Sequence, residues 1–188
     1  MTSPLKRAGL VVGILLAALG VFLAASIVAP PASVAQEQRP HWLLQLKDGT
    51  VDIELLPEIA PKHVERIVAL TNDKFYDGIV FHRVIDGFMA QSGDPTGTGM
   101  GGSDLPDVVA EFTNKLSFQR GIVGAARTND PNTFNSQFFI CFGDASFLDG
   151  QYTIFGRVVS GMEYVDNIAR GEPPANPDKI ISATIAYR

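Results

Sequence analysis

Arg83 lies in the run Phe81-His82-Arg83-Val84-Ile85, and an arginine inside such an apolar, β-branched stretch is costly unless something compensates it. Three arrangements would do so. The aliphatic stem can snorkel to put the guanidinium in water, an acid can pair with it, or it can face a ligand groove. Spacing alone leaves all three open. The same mixture of polar and apolar residues recurs downstream, with Gln91 after Phe88 and Met89, and with Asn135 and Gln137 beside Phe138 and Phe139. These are the residues whose types invite chemistry.

Several reactions are excluded by what does not accompany them. Gly97, Gly99 and Gly102 satisfy G-x-G-x-x-G as a string, but a dinucleotide loop needs a buried strand before it and a helix directly after. Here Gly93-Asp94-Pro95 precedes and Ser103-Asp104-Leu105-Pro106 follows, so nucleotide binding is not supported. There is no G-x-x-x-x-G-K-[ST], no H-E-x-x-H and no G-x-S-x-G, which leaves covalent catalysis with little support. His41, His63 and His82 lie on different elements without ligand spacing, and His41 and His63 read as surface residues. The single cysteine, Cys141, rules out an intrachain disulfide and any multi-cysteine zinc site, and reads as a small buried hydrophobe.

The chain has 188 residues, room for one domain and hardly two. With 46% hydrophobic and 19% charged residues it can build a packed core. Fifteen Lys and Arg against 20 Asp and Glu give a net charge of -5, which does not favour a nucleic-acid partner. Lys6 and Arg7 precede an apolar and small-residue run over residues 8–28, followed by Pro30, Pro31, Ser33 and Ala35. This order is that of an export signal cleaved before Gln36. The run is also long enough to span a bilayer, so the alternative is an uncleaved inner-membrane anchor. Either way the basic flank keeps the N-terminus cytoplasmic and sends the rest outward, to the periplasm or cell envelope. The expected division is residues 1–35 as signal or anchor and 36–188 as the working domain.

Within that domain, residues 42–46 and 50–55 alternate as strands around Asp48-Gly49, a hairpin signal. Pro61 opens an amphipathic helix with Val64, Ile67, Val68 and Thr71 on one face. Strands follow at 79–85 and 88–91 around Asp86-Gly87, then at 121–126, 137–142, 152–159 and 179–187. A second short helix carries Met162, Val165, Ile168 and Ala169 and closes at Gly171. Many short strands and two helices predict a mainly β fold, a closed antiparallel barrel capped by the helices, since closure removes exposed edges.

The segment Phe81-His82-Arg83-Val84-Ile85-Asp86-Gly87-Phe88-Met89-Ala90-Gln91-Ser92-Gly93-Asp94 closely resembles the signature of the cyclophilin family of peptidyl-prolyl isomerases. The resemblance continues through Gly97-Thr98-Gly99, Gly101-Gly102, Ala126-Arg127-Thr128, Asn135-Ser136-Gln137-Phe138-Phe139-Ile140, Phe147-Leu148-Asp149-Gly150 and Phe155-Gly156-Arg157-Val158. It spans residues 41 to 188. The Ala-Arg-Thr segment followed by Asp130-Pro131-Asn132 is similar to bacterial members. The resemblance implies an eight-stranded antiparallel barrel with two helices, a monomer, proline-containing polypeptides as substrates, and no cofactor or metal. It implies Arg83 as the catalytic group. Phe88, Met89, Phe139 and Leu148 would hold the proline ring, while Gln91, Gln137 and the backbone of Thr128 would position the flanking peptide. His82 would line the groove, with Phe147 and Tyr152 at its edge.

Phe81, Phe138, Ile140 and Phe155 are expected to fill the barrel, and the Arg127 side chain to point into solvent. Phe147 stands where many eukaryotic members carry Trp and Tyr152 where they carry His, which removes an indole N–H donor from the groove edge. A protein that only binds proline segments, as a chaperone would, should have lost Arg83 or the pocket aromatics. All are present.

Overall fold

The Lys47-Asp48-Gly49 turn joins strand β1 (Pro40–Gln45) to β2 (Thr50–Leu55), with Trp42 opposite Ile53 and Leu44 opposite Val51. Period-two alternation sends Trp42, Leu44, Val51, Ile53 and Leu55 into the core. Asp52 and Glu54, on the other face, are paired by His41 and Arg188 and by Arg39 and Arg157. The computed structural model describes residues 38–188. The segment expected as signal or anchor, residues 1–35 with its run 8–28, lies outside the described residues. Among the described residues no helix is long and apolar enough to cross a membrane.

Helix α1 (Pro61–Asn72) starts at Pro61 as expected, but the residue before it, Ala60, offers no side-chain cap. Glu111 supplies the missing acceptor from a distant loop, taking the N–H of Lys62 at 3.1 Å and of His63 at 3.1 Å. The same carboxylate lies 2.7 Å from His63 Nδ1, and the His63 ring stacks on Phe134 with 4.5 Å between centroids. His63 is therefore buried, not a surface residue, and His41 is engaged with Asp52 at 2.6 Å. Burial pushes the His63 pKa down against the pull of Glu111.

The remaining elements are β3 (Arg83–Ile85), β4 (Met89–Ser92), β5 (Ile122–Ala125), β6 (Phe138–Cys141), a 3₁₀ turn (Ser146–Leu148), β7 (Ile154–Ser160), α2 (Met162–Asp166) and β8 (Ser182–Tyr187). The described residues form a mainly β fold: one eight-stranded antiparallel sheet in the order β3-β4-β6-β5-β7-β2-β1-β8, with two helices. The ladder is open between β3 and β8, whereas the sequence leads one to expect closure. Isolated bridges join Val80 to Lys179 and Val84 to Gly171 there. Pro173, Pro174 and Pro177 fall in this stretch, and a residue without an N–H cannot extend a ladder.

For the same reason the strand expected over 79–85 shortens to 83–85. The Phe81 N–H donates to Asp178 O at 2.8 Å and Ile79 O accepts from Ile180 N–H at 2.9 Å, so these groups serve the segment before β8, while Val80 O accepts from Ser92 Oγ at 3.0 Å.

Alternation in β3, β4 and β6 divides their side chains between two apolar clusters. Val84, Ala90, Phe138 and Ile140 join the main core with Phe81 and Phe155. Met89, Phe139 and Cys141 face the other way and pack with Leu56, Phe118, Ala145, Leu148 and Ile154. Phe81, Phe138, Ile140 and Phe155 are fully buried in the first cluster, as expected. Burial also pushes the Cys141 thiol up to about 12, leaving it a hydrophobe.

Candidate active site

Strand register builds a lateral row on the second face. Arg83 pairs with Gln91 across β3 and β4, Gln91 with Phe139 across β4 and β6, and Phe139 with Gly124 across β6 and β5. One row of cross-strand neighbours thus carries a cation, an amide and an aromatic ring side by side. Arg83 Nε donates to Glu172 Oε2 at 2.8 Å, and Nη1 lies 3.5 Å from Gln91 Oε1, at the limit of a hydrogen bond. Nη2 has no partner among the described residues. Of the compensations open to a strand arginine, the acid pair and the groove-facing position occur together.

The amides continue the chain. Gln91 Nε2 donates to Gln137 Oε1 at 2.9 Å, and Gln137 Nε2 donates to Gly99 O at 3.0 Å and Gly101 O at 2.9 Å. Gly99 and Gly101 belong to a loop held from within by Asp94. Its carboxylate accepts the N–H of Thr96 at 2.8 Å, of Thr98 at 3.0 Å and of Gly99 at 2.6 Å. Burial alone would raise the Asp94 pKa, but bonds from Thr96, Gly101 and Gly99 outweigh it and hold it at about 2. Asn135 secures the far end of the loop, accepting from Ser103 N–H at 2.7 Å and donating to Leu105 O at 2.8 Å. Between this loop and residues 126–133 lies a cavity of about 380 Å³, lined in part by Gln91, Met100, Thr128 and Gln137.

Beside the row, Phe139 stacks on Phe118 at 5.6 Å and meets the edge of Tyr152 at 5.8 Å. Phe88 and Tyr152 are half-buried against the cluster that holds Met89, Phe139 and Leu148. Phe147, on the 3₁₀ turn, is 64% exposed and lies 5.4 Å from Phe88. Gly124 makes this packing possible, because a Cβ there would overlap the rings of Phe139 and Phe118. Gly124→Ala is therefore expected to displace Phe139. A loss of about 1–3 kcal/mol in denaturant stability checks this.

The family model described as "Cyclophilin type peptidyl-prolyl cis-trans isomerase/CLD" matches residues 42–185. The chain belongs to the cyclophilin-type peptidyl-prolyl cis-trans isomerases. A "Probable peptidyl-prolyl cis-trans isomerase" of Brucella suis is 48% identical over 184 residues, covering 89% of this chain and 93% of the relative. The human "Peptidyl-prolyl cis-trans isomerase-like 3" is 43% identical over 125 residues, covering 65% of this chain and 77% of the relative. Among solved structures, a cyclophilin from Hirschia baltica matches with a TM-score of 0.69 at 31% identity, over 79% of this chain and 76% of the other. A Cryptosporidium parvum cyclophilin type isomerase, solved in the presence of the dipeptide Ala-Pro, matches with a TM-score of 0.73 at 30% identity, over 79% and 99%. The reaction is rotation about X–Pro bonds of proline-containing peptides.

As a cyclophilin the chain brings most of the expected residues together: Arg83, Gln91 and Phe139 in the row, Met89, Leu148, Phe88 and Tyr152 in the adjoining cluster, and Gln137 and Thr128 along the cavity. His82 stands beside the same loop. Its ring is buried against Gly99, neither nitrogen has a hydrogen-bond partner among the described residues, and burial lowers its pKa against the charge of Asp94. Both backbone groups of Thr128 are engaged internally, the N–H donating to Thr133 Oγ1 at 3.0 Å and the carbonyl accepting from Arg127 Nη1 at 2.9 Å, which leaves the second lone pair of that oxygen for a peptide.

Arg127 does not point into solvent. Its guanidinium lies 4.2 Å over the Tyr152 ring and donates to Gln151 O at 2.9 Å. Phe118, Gly124 and Glu172 were not singled out by their sequence context. Each acts through a partner distant in the chain, and no local spacing marks it.

Proposed function

We propose that Arg83 is the rotation catalyst of this isomerase, with Phe88, Met89, Phe139 and Leu148 as the proline pocket and Gln91, Gln137 and the backbone of Thr128 as peptide-positioning groups. An X–Pro bond prefers trans only slightly, yet rotation must cross a barrier of about 18–20 kcal/mol set by amide resonance. No bond breaks. In the twisted state resonance is lost and the prolyl nitrogen becomes pyramidal and able to accept a hydrogen bond, so a donor aimed at that nitrogen favours the transition state over both ground states. A guanidinium suits the task because it keeps its proton and presents rigid donors. The observation that carries this reading is the row in which Arg83 and Phe139 flank Gln91, with Nη2 uncommitted.

The bridges at Val80–Lys179 and Val84–Gly171 lie where the two ends of the sheet approach each other, and we read them as closing it into a barrel. The reading extends to location. Lys6, Arg7, the apolar run 8–28 and the small residues Ser33 and Ala35 favour export, with the isomerase acting on exported proteins in the periplasm or cell envelope and assisting their folding. It is soluble if cleaved before Gln36 and otherwise held at the inner membrane by residues 8–28. A monomer accords with a catalytic row drawn from one chain.

Residues 36–188 produced alone should be folded and should accelerate exchange of an X–Pro test peptide. Exchange at the rate in buffer, in a sample with a cooperative unfolding transition, would remove the enzyme reading.

A further inference from the structure

Arg83 has a second cross-strand neighbour, outside the ladder. Val84 N–H donates to Gly171 O at 2.8 Å and Gly171 N–H donates to Val84 O at 2.9 Å. In antiparallel pairing a step back along one chain is a step forward along the other, so this bridge sets Glu172 beside Arg83. The row therefore begins one residue earlier, as Glu172, Arg83, Gln91, Phe139. Gly171 has φ of 148°, and a Cβ there would collide with the backbone of Pro173 and Pro174, so glycine is what allows the chain to deliver Glu172 at this point.

We infer that Glu172 is a positioning residue for the isomerisation, one that holds the Nε side of Arg83 and thereby orients the rest of the guanidinium. The inference rests on Arg83 being the rotation catalyst. Glu172 accepts the shortest bond that the guanidinium makes, 2.8 Å from Nε, against 3.5 Å to Gln91. The Arg83 side chain is 41% exposed, so without that bond several rotamers compete and water solvates each of them. A charge-assisted bond at one donor removes much of this freedom.

The opposing effect is that a carboxylate offsets the positive charge offered to the prolyl nitrogen. The geometry favours orientation. Glu172 meets Arg83 at Nε alone, not as a two-donor fork, so the Nη hydrogens remain available to substrate.

The test uses the full-length chain with Glu172→Ala, Glu172→Gln, Arg83→Ala and the double variant Arg83→Ala/Glu172→Ala. Turnover at saturating proline peptide, the peptide dissociation constant and the NMR signal of the Arg83 Nε–H are measured. Glu172→Ala should lower turnover about three- to tenfold with the dissociation constant unchanged, and the Nε–H signal should be lost to solvent exchange. Glu172→Gln keeps an acceptor and should recover most of the turnover and the signal. In the Arg83→Ala background, Glu172→Ala should change nothing.

Faster turnover in Glu172→Ala would make the carboxylate a mere counter-ion, and unchanged turnover would deny it any part. An equal loss in the Arg83→Ala background would mean that it acts through another group. Each of these overturns the positioning role while leaving Arg83 as catalyst. If Arg83→Ala itself kept full turnover, the catalyst reading would fall first, a result visible without any Glu172 variant.

Discussion

Turnover of Arg83→Ala should fall by about two to three powers of ten in a protein that remains folded. The magnitude follows from removing one preorganised donor from a developing lone pair, worth about 3–4 kcal/mol of barrier. Stability should change little, because the side chain stands at the surface of the row and its deletion opens no cavity in either apolar cluster. Gln91 keeps its bond to Gln137, so the amide chain behind the site survives. Arg83→Lys should recover little, since a flexible ammonium keeps the charge without the planar donor array. Single-turnover exchange rates for the three proteins, with thermal melts as the control for folding, check the result.

Asp94→Ala should have the largest effect on stability of any change near the site, about 2–3 kcal/mol. Asp94 is fully buried, and its loss removes the one carboxylate that gathers the N–H groups of Thr96, Thr98 and Gly99, leaving Thr98 N–H only the long 3.4 Å contact to Thr96 Oγ1 among the described residues. The damage should reach catalysis through Gly99 and Gly101, whose carbonyls fix Gln137 and, through it, Gln91. The pH dependence has a definite sign. The Asp94 pKa is lowered to about 2, so its contribution is complete above the ordinary carboxylate range, about pH 4, and is lost as pH falls toward 2. Denaturant midpoints between pH 6 and 2 should therefore converge for wild type and Asp94→Ala at the acid end. A constant gap between the two curves would show that the carboxylate charge contributes nothing.

What could be read from the chain followed the range of the interactions involved. Alternation in Trp42–Leu44 and Val51–Leu55 and the Asp-Gly turns are local, so the β1–β2 and β3–β4 hairpins were legible, as was α1 from Pro61 and its apolar face. Arg83 stood out because a strand arginine needs a partner, and its partnership with Phe139 needed only the antiparallel register of β4 on β6. That β5 lies beyond β6 was not legible, since strand order leaves no mark on either strand.

His63 reads as a surface residue because no ligand spacing accompanies it, and the groups that enclose it, Glu111 and the Phe134 ring, come from far along the chain, Glu111 from 48 residues away. The shortening of β3 has the same origin. Backbone groups of Ile79 and Phe81 are taken by Ile180 and Asp178, a competition no local propensity records. Arg127 next to Tyr152 and Glu172 next to Arg83 are likewise pairs made by the fold.

The central claim is that Arg83 acts on the twisted state rather than on the bound peptide, and NMR exchange on a saturated proline peptide, measured together with its dissociation constant, separates the two. For Arg83→Ala the interconversion rate in the bound peptide should drop by roughly two to three powers of ten while the dissociation constant changes by a much smaller factor. If the dissociation constant and the rate weakened by the same factor, Arg83 would be a peptide anchor, and the proposed mechanism would be wrong although the protein remained an isomerase.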